Sequence, residues 1–185
     1  MTTEDLAERE RKFLIRDYTD EGWPETIPYV DSIITQIYLK SHASSERVRA
    51  RFWGEHLPDP PFSKVRYTHT IKHALGPPGV NDEIEYEITE TQFKSFEEHR
   101  PWVGTVLWKR RRVFDWHGHT FELDIFFFTG HDHLGPLVLL EVELDDMGEQ
   151  VDLPPFLDIE KEVTGDKKFS NKWLAKHVVK KGLPT

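Results

Sequence analysis

The sequence predicts a mainly β protein of α+β type: an eight-stranded antiparallel β-barrel, or tunnel, with a charged lumen, short helices outside it and a C-terminal helix. Three observations predict it. First, polar and charged residues recur at i, i+2 in seven segments, which in an extended chain places them on one face. These are Glu8/Glu10/Lys12, Arg47/Arg49, Thr70/Lys72, Glu85/Glu87, Lys109/Arg111, Glu122/Asp124 and Glu141/Glu143, Thr70 being the uncharged member. Second, the opposite faces of the later segments are mostly Val, Ile, Leu, Phe, Tyr and Trp, so the charged faces must line something wet. Third, carboxylate-only strands and base-only strands are separate. An open sheet with a solvated charged face also explains the alternation, but that segregation suits a closed barrel with a cation pole and an anion pole.

The elements follow in order. Residues 8–15 form the first strand, with Glu8, Glu10 and Lys12 on one face and Arg9, Arg11 and Phe13 on the other. Residues 17–28, with Gly22, Pro24 and Pro28, are turn-rich. Residues 32–39 read as a buried strand, and 40–45 as a polar turn. Residues 46–52 are a second charged strand with Arg47, Arg49 and Arg51 on one face. A proline-rich loop, 54–63, leads to a strand over 65–73, which ends at Gly76-Pro77-Pro78-Gly79. Residues 83–88 alternate three carboxylates against Ile84, Tyr86 and Ile88. Thr89 and Gln92 form a capping-box pattern for a short helix that buries Phe93 and Phe96. Strands over 102–114 and 119–128 flank a hairpin turn at Asp115–Gly118. The last long strand is 137–144. Residues 156–163 are expected as a short helix, and Ser170 caps a final helix whose Trp173, Leu174, His177 and Val178 share a face.

At 185 residues the chain suits a single domain spanning 1–185. Its 37% apolar and 31% charged content, with twelve Phe, six Trp and five Tyr, describes a polar globular protein with substantial burial. The absence of cysteine excludes disulfides and thiolate metal sites and fits a cytoplasmic protein. No apolar run is long enough to span a membrane and no signal peptide is evident, so no membrane partner is expected. A net charge of −9 argues against non-specific wrapping of duplex nucleic acid, and no nucleic-acid partner is expected. A homodimer is compatible with everything in the sequence.

Carboxylates in pairs suit hard divalent cations such as Mg²⁺ or Mn²⁺, which take a few carboxylates, waters and substrate phosphates as ligands. Arg and Lys bind phosphate oxygens, Arg through a bidentate fork and Lys as a point charge. A cavity holding both suits a metal-complexed polyphosphate. At these residues a resemblance also emerges. Glu8-Arg9-Glu10-Arg11-Lys12-Phe13-Leu14 resembles the ExExK signature of the CYTH, or triphosphate tunnel metalloenzyme, superfamily. Arg47-Val48-Arg49, Thr70-Ile71-Lys72, Glu85-Tyr86-Glu87-Ile88, Lys109-Arg110-Arg111, Phe121-Glu122-Leu123-Asp124 and Glu141-Val142-Glu143-Leu144 follow in that family's order. Glu162-Val163-Thr164-Gly165-Asp166 is similar to the ending of its bacterial members.

The resemblance implies an eight-stranded antiparallel tunnel acting on a small-molecule triphosphate with Mg²⁺ or Mn²⁺. It implies Glu8, Glu10 and the later carboxylates Glu85, Glu87, Glu122, Asp124, Glu141 and Glu143 as the metal-binding set. Lys12, Arg47, Arg49, Lys72, Lys109 and Arg111 become the triphosphate cradle, with Lys12 and Lys72 the candidates for activating water. The expected reaction is metal-dependent hydrolysis of a phosphoanhydride in a linear triphosphate, inorganic tripolyphosphate first. The alternatives are hydrolysis or cyclisation of an organic triphosphate such as thiamine triphosphate or ATP, and a non-catalytic polyphosphate- or nucleotide-binding module. The chain departs from the compact bacterial pattern in its proline-rich 54–66 loop and in Arg110 and Arg112, which fall on the other face of their strand.

Three further features are read as structural. His117-Gly118-His119 and His131-Asp132-His133 are ordinary turn residues, since two ligands in a turn do not make a zinc site. The lysines of 176–181 are favourable charge at a helix C-terminus. Trp102, Trp108, Trp116 and Trp173 are barrel packing.

Overall fold

Strict alternation of lumen-facing and outward-facing side chains organises the chain into one closed sheet. A computed structural model describes residues 7–55, 57, 61–99, 101–127 and 137–181. The strands are β1 (Ala7–Ile15), β2 (Tyr29–Tyr38), β3 (Ser45–Trp53), β4 (Lys64–Ala74), β5 (Val80–Ile88), β6 (Leu107–Trp116), β7 (His119–Phe127), β8 (Leu137–Glu143) and β9 (Ile159–Glu162). Helix α1 is Glu90–His99 and α2 is Asn171–Lys181. Around the barrel the order is β1, β5, β4, β3, β2, β6, β7, β8 and back to β1, with every pairing antiparallel.

β1 closes the ring. Along one edge Glu10 to Ile15 pair with Glu143 to Val138 of β8. Along the other, Ala7 to Arg9 pair with Asp82 to Val80 of β5, and Phe13 to Ile15 then take β9 as an outer partner. The β4–β5 turn is fastened to this strand: Glu10 N donates to Gly79 O at 2.9 Å. Gly79 has φ +79°, and a Cβ there would stand 2.4 Å from Glu10 O. A glycine is therefore required where the turn meets the strand.

Three apolar clusters hold the barrel. The outer faces of β1, β6, β7 and β8 bury Phe13, Phe114, Phe121, Leu123, Leu140 and Val142 beneath Tyr18, Trp23 and Phe156. Each such side chain stabilises the fold by about 1.5–3 kcal/mol on full burial. A second cluster sits under α1, where Phe93 packs on Ile37, Leu39, Val48 and Ala50. The third closes part of one end of the barrel: Tyr38, Leu107, Phe126 and Leu139 meet Leu174, Ala175 and Val178 of α2. The helix is seated by Thr105 N donating to Ala175 O at 2.9 Å. Gly104, with φ +78°, has room for no Cβ, which would stand 2.0 Å from Ala175 O. α1 starts as its sequence suggests, with Thr89 N donating to Gln92 Oε1 (2.8 Å) and Gln92 N to Thr89 Oγ1 (3.2 Å).

The structure corrects several boundaries. Residues 156–163 are not a helix. Phe156 turns into the first cluster and Ile159–Glu162 form β9, because β1 is left with an unpaired edge past Arg9 that an extended segment satisfies. β5 begins at Val80 rather than 83, and β6 at Leu107 rather than 102; Trp102 makes an isolated bridge to Leu39 before the break at Gly104. Trp108 is exposed on the outer wall rather than packed. The outward charges of β6 have partners there. Arg112 binds Asp31 through two bonds (2.9 and 2.8 Å) and lies over the Tyr29 ring, while Arg110 binds Asp20 (2.6 and 2.7 Å). Arg110, together with Arg112 Nη1 donating to Tyr18 Oη at 3.0 Å, ties the 16–28 segment to the wall.

Candidate active site

The inward-facing side chains enclose a cavity of about 970 Å³. From β1 it takes Glu8, Glu10 and Lys12; from β3, Arg47, Arg49 and Arg51; from β4, Lys72; from β5, Glu83 and Glu85. β6 adds Lys109 and Arg111, β7 adds Glu122, and β8 adds Glu141 and Glu143. One mouth, beside the β2–β3 turn and α2, is basic, with Lys167, Lys172 and Lys176 around Trp173 and His177. Toward the other mouth the lumen continues into a smaller chamber of about 290 Å³, where Glu10, Glu122, Glu141 and Glu143 meet Asp145 and Glu149 beside the β6–β7 turn.

Of the residues expected in the site, all but Glu87 and Asp124 line the main cavity. Glu87 lies past the rim, exposed and paired with Arg66 at 3.2 Å. Its place is taken by Glu83, because β5 starts three residues earlier than its alternation suggests and the enclosed pair is Glu83/Glu85. Asp124 is fully buried behind the lumen surface, where it receives Lys109 Nζ and both Arg111 Nε (2.7 Å) and Nη2 (2.6 Å). Three further lining residues, Arg51, Tyr38 and Gln36, escaped the sequence reading as site members. Arg51 was visible as the third arginine of its face, whereas Tyr38 and Gln36 gave no charge signal.

The lumen is a lattice of ion pairs. Lys12 reaches Glu141 (2.8 Å) and Glu10 (3.7 Å). Lys72 bridges Glu8 and Glu83 (3.0 Å to the latter), and Arg47 also meets Glu83 at 3.1 Å. Arg49 holds Glu85 at 2.7 Å, with Thr70 Oγ1 donating to the same carboxylate at 2.9 Å. Arg111 joins Asp124, Glu122 and Glu141. Burial opposes every one of these charges, and the neighbours decide the outcome. Lys12 is desolvated, yet Glu141 and Glu10 hold its pKa above the usual lysine value; Lys72 is likewise raised, against burial, by Glu10, Glu8 and Glu83. Lys109 goes the other way. Burial first and the Arg111 charge second outweigh Asp124 and push it down to about 8.

Among the described residues one carboxylate has no base partner, and a second is only partly offset by its own. Glu143 has no base within ion-pair distance among the described residues, and burial followed by Glu122 and Glu10 raises its carboxyl pKa. Glu8 is pushed up to about 7 by burial, opposed by Lys72 and reinforced by Glu10 and Glu83. Crowded, partly desolvated carboxylates of this kind fit a hard divalent cation. Among the described residues no three His, Asp or Glu side chains already converge at ligand spacing. The donor chemistry suits an ion such as Mg²⁺, which keeps waters and takes phosphate oxygens alongside one or two carboxylates. Glu10, Glu122 and Glu143 are the residues that would hold it. His117 and His119 instead pair with Asp152 (3.1 Å) and Glu149 (2.9 Å), and His131-Asp132-His133 lies outside the described residues.

No protein-family model matches the chain. An inorganic triphosphatase of Nitrosomonas europaea is 32% identical over 179 residues, covering 92% of this chain and 97% of that protein. The chain belongs to the inorganic triphosphatase family. The crystal structure of an inorganic triphosphatase superposes with a TM-score of 0.53 at 30% identity, covering 91% of this chain and 93% of that one. A protein from Pyrococcus horikoshii shares the fold, with a TM-score of 0.51 at 21% identity over 76% of this chain and 80% of its own. Among the described residues no helix is long and apolar enough to cross a membrane.

Proposed function

We propose that the protein is a triphosphate tunnel metalloenzyme that hydrolyses inorganic tripolyphosphate to pyrophosphate and orthophosphate with Mg²⁺ or Mn²⁺. The observation that carries the reading is the lumen itself: arginines and lysines interleaved with crowded carboxylates within one cavity, in a chain related to an inorganic triphosphatase. A pure polyanion binder needs the bases but gains little from so many carboxylates.

The roles divide by position. Arg47, Arg49, Lys72 and Lys12 clamp the phosphate oxygens, the arginines through bidentate bonds. Each must release its lumen carboxylate to do so, and Lys12 in moving frees Glu10 to face the cation. A divalent ion held by Glu10, Glu122 and Glu143 would supply charge neutralisation to the bound triphosphate. Arg111, anchored by Asp124, faces the developing negative charge on the phosphoryl group. A water oxygen bonds to the terminal phosphorus as the P–O bond to the leaving pyrophosphate breaks, and the water proton passes to Lys109 Nζ. Lys109 replaces Lys12 and Lys72 as the candidate base, because its pKa lies nearest neutrality while theirs are raised. Arginine cannot take this role, since it stays protonated.

A second reading, an organic triphosphate, has one observation in its favour. Trp173 and His177 stack with ring centroids 4.5 Å apart on the wall of the basic mouth, where an aromatic group attached to a triphosphate could lie. Phosphate release from tripolyphosphate, pyrophosphate, ATP and thiamine triphosphate, each with Mg²⁺ or Mn²⁺, separates the readings. Tripolyphosphate is expected to give the highest kcat/KM. Preference for an organic substrate, lost in Trp173→Ala, would reverse the assignment.

A further inference from the structure

Seven bases are turned into the lumen by the barrel strands, and six of them meet a carboxylate: Lys12, Arg47, Arg49, Lys72, Lys109 and Arg111. Arg51 does not. Among the described residues no carboxylate stands within ion-pair distance of it, and its buried Nε has no hydrogen-bond partner. Its contact is an aromatic one, with the guanidinium 5.5 Å from the Trp53 ring centroid; Lys64 Nζ stands 5.1 Å from the same ring. Burial, then Arg111 and Arg49, push Arg51 down to about 10. A buried cation among like charges costs stability unless an anion completes it.

Position argues that the anion is not the one held by Arg47 and Arg49. Residues two apart on a strand are separated by about 7 Å. Arg51 lies one step beyond Arg49 on the same face, on the side away from the basic mouth, and so about 14 Å from Arg47, twice the span between the two clamp arginines. We propose that Arg51 forms a distinct phosphate subsite for one phosphoryl unit beyond the clamped triphosphate. The unit is either orthophosphate released by the reaction or the fourth unit of a longer linear polyphosphate. That the anion is a phosphate rests on the triphosphatase reading; that an oxyanion binds at Arg51 rests on the geometry alone.

The test is orthophosphate binding to the metal-free full chain by isothermal titration calorimetry, in wild type, Arg51→Ala and Arg51→Lys. Wild type is expected to bind, Arg51→Ala to lose at least tenfold in affinity, and Arg51→Lys to recover part of the loss. Because the ligand-free arginine is uncompensated, Arg51→Ala is also expected to melt at the wild-type temperature or above, whereas a structural role predicts a lower melting temperature. A second arm compares tripolyphosphate with tetrapolyphosphate. Tighter binding of the tetramer, abolished in Arg51→Ala, assigns the subsite to the fourth unit; equal binding with an intact orthophosphate effect assigns it to product. Orthophosphate affinity unchanged in Arg51→Ala, or no orthophosphate binding together with no chain-length advantage, overturns the proposal. Orthophosphate binding through Arg51 in a protein that cleaves no tripolyphosphate would leave the subsite standing and refute the triphosphatase reading instead.

Discussion

Asp124→Asn is expected to destabilise the protein severely while barely changing its shape. The carboxylate is fully buried and receives Lys109 Nζ and the Arg111 fork; both bases are themselves almost wholly enclosed. The asparagine keeps one acceptor oxygen but removes the charge, leaving the Arg111 guanidinium without its buried counter-charge, while Lys109, no longer held up by Asp124, sheds its proton more readily. Breaking a buried ion pair by removing one partner costs about 3–5 kcal/mol. For a chain of this size each kcal/mol shifts the melting temperature by about 2–4 °C, so a drop on the order of 6–20 °C is expected. The pH dependence gives a second readout. Burial favours the protonated acid, yet Arg111 and Lys109 hold the Asp124 carboxyl below its usual value. Its stabilisation is therefore present above about pH 4 and is lost as pH falls through the lower folded value. Thermal melts monitored by circular dichroism between pH 2 and 8 should show the variant far less stable than wild type at pH 7, with a shallower acid limb. A loss below about 1 kcal/mol at pH 7 with an unchanged acid limb would refute the view that this pair anchors Arg111.

Other predictions follow from the same geometry. With Lys109 as the base at about 8, kcat for tripolyphosphate should rise with pH through that value, because only the neutral amine accepts a proton; Lys109→Arg should remove this ionisation and most of the rate. An unaltered profile in a folded Lys109→Arg protein would leave water activation to the metal alone. Arg47→Ala and Arg49→Ala should raise KM most, whereas Glu10→Gln should lower kcat most; identical changes in both parameters for both classes would mean that the clamp and the cation site are not distinct. Gly104→Ala should loosen the seat of α2, since its Cβ would collide with Ala175 O, and limited proteolysis should then cut at the helix earlier than in wild type.

Much of the barrel was legible because a two-residue period survives in any strand with one wet and one dry face. Glu8, Glu10 and Lys12 could be placed in the lumen from spacing alone, and Phe13 beneath the outer core. Strand ends were less legible. Glu87 obeys the alternation as well as Glu83 does, and only the point where β5 meets β1 decides which of them is enclosed. The 156–163 segment carries apolar residues compatible with either period, and β9 forms there because β1 offers an edge, a fact absent from the local sequence. Spacing also cannot report charge balance. Asp124 and Glu122 look alike in sequence, yet one is sealed against two bases while the other opens into the cavity. Arg51 reads as one more arginine until its neighbours are in place. The low Lys109 pKa arises from Arg111 and burial together, which no motif records.

The measurement closest to the central claim is orthophosphate release from tripolyphosphate by the full chain, with EDTA and then with added Mg²⁺ or Mn²⁺, beside Glu10→Gln with its fold verified. The account predicts no release under chelation, recovery on adding either metal and loss of turnover in the variant. Equal release in EDTA, or wild-type turnover by Glu10→Gln, would contradict it.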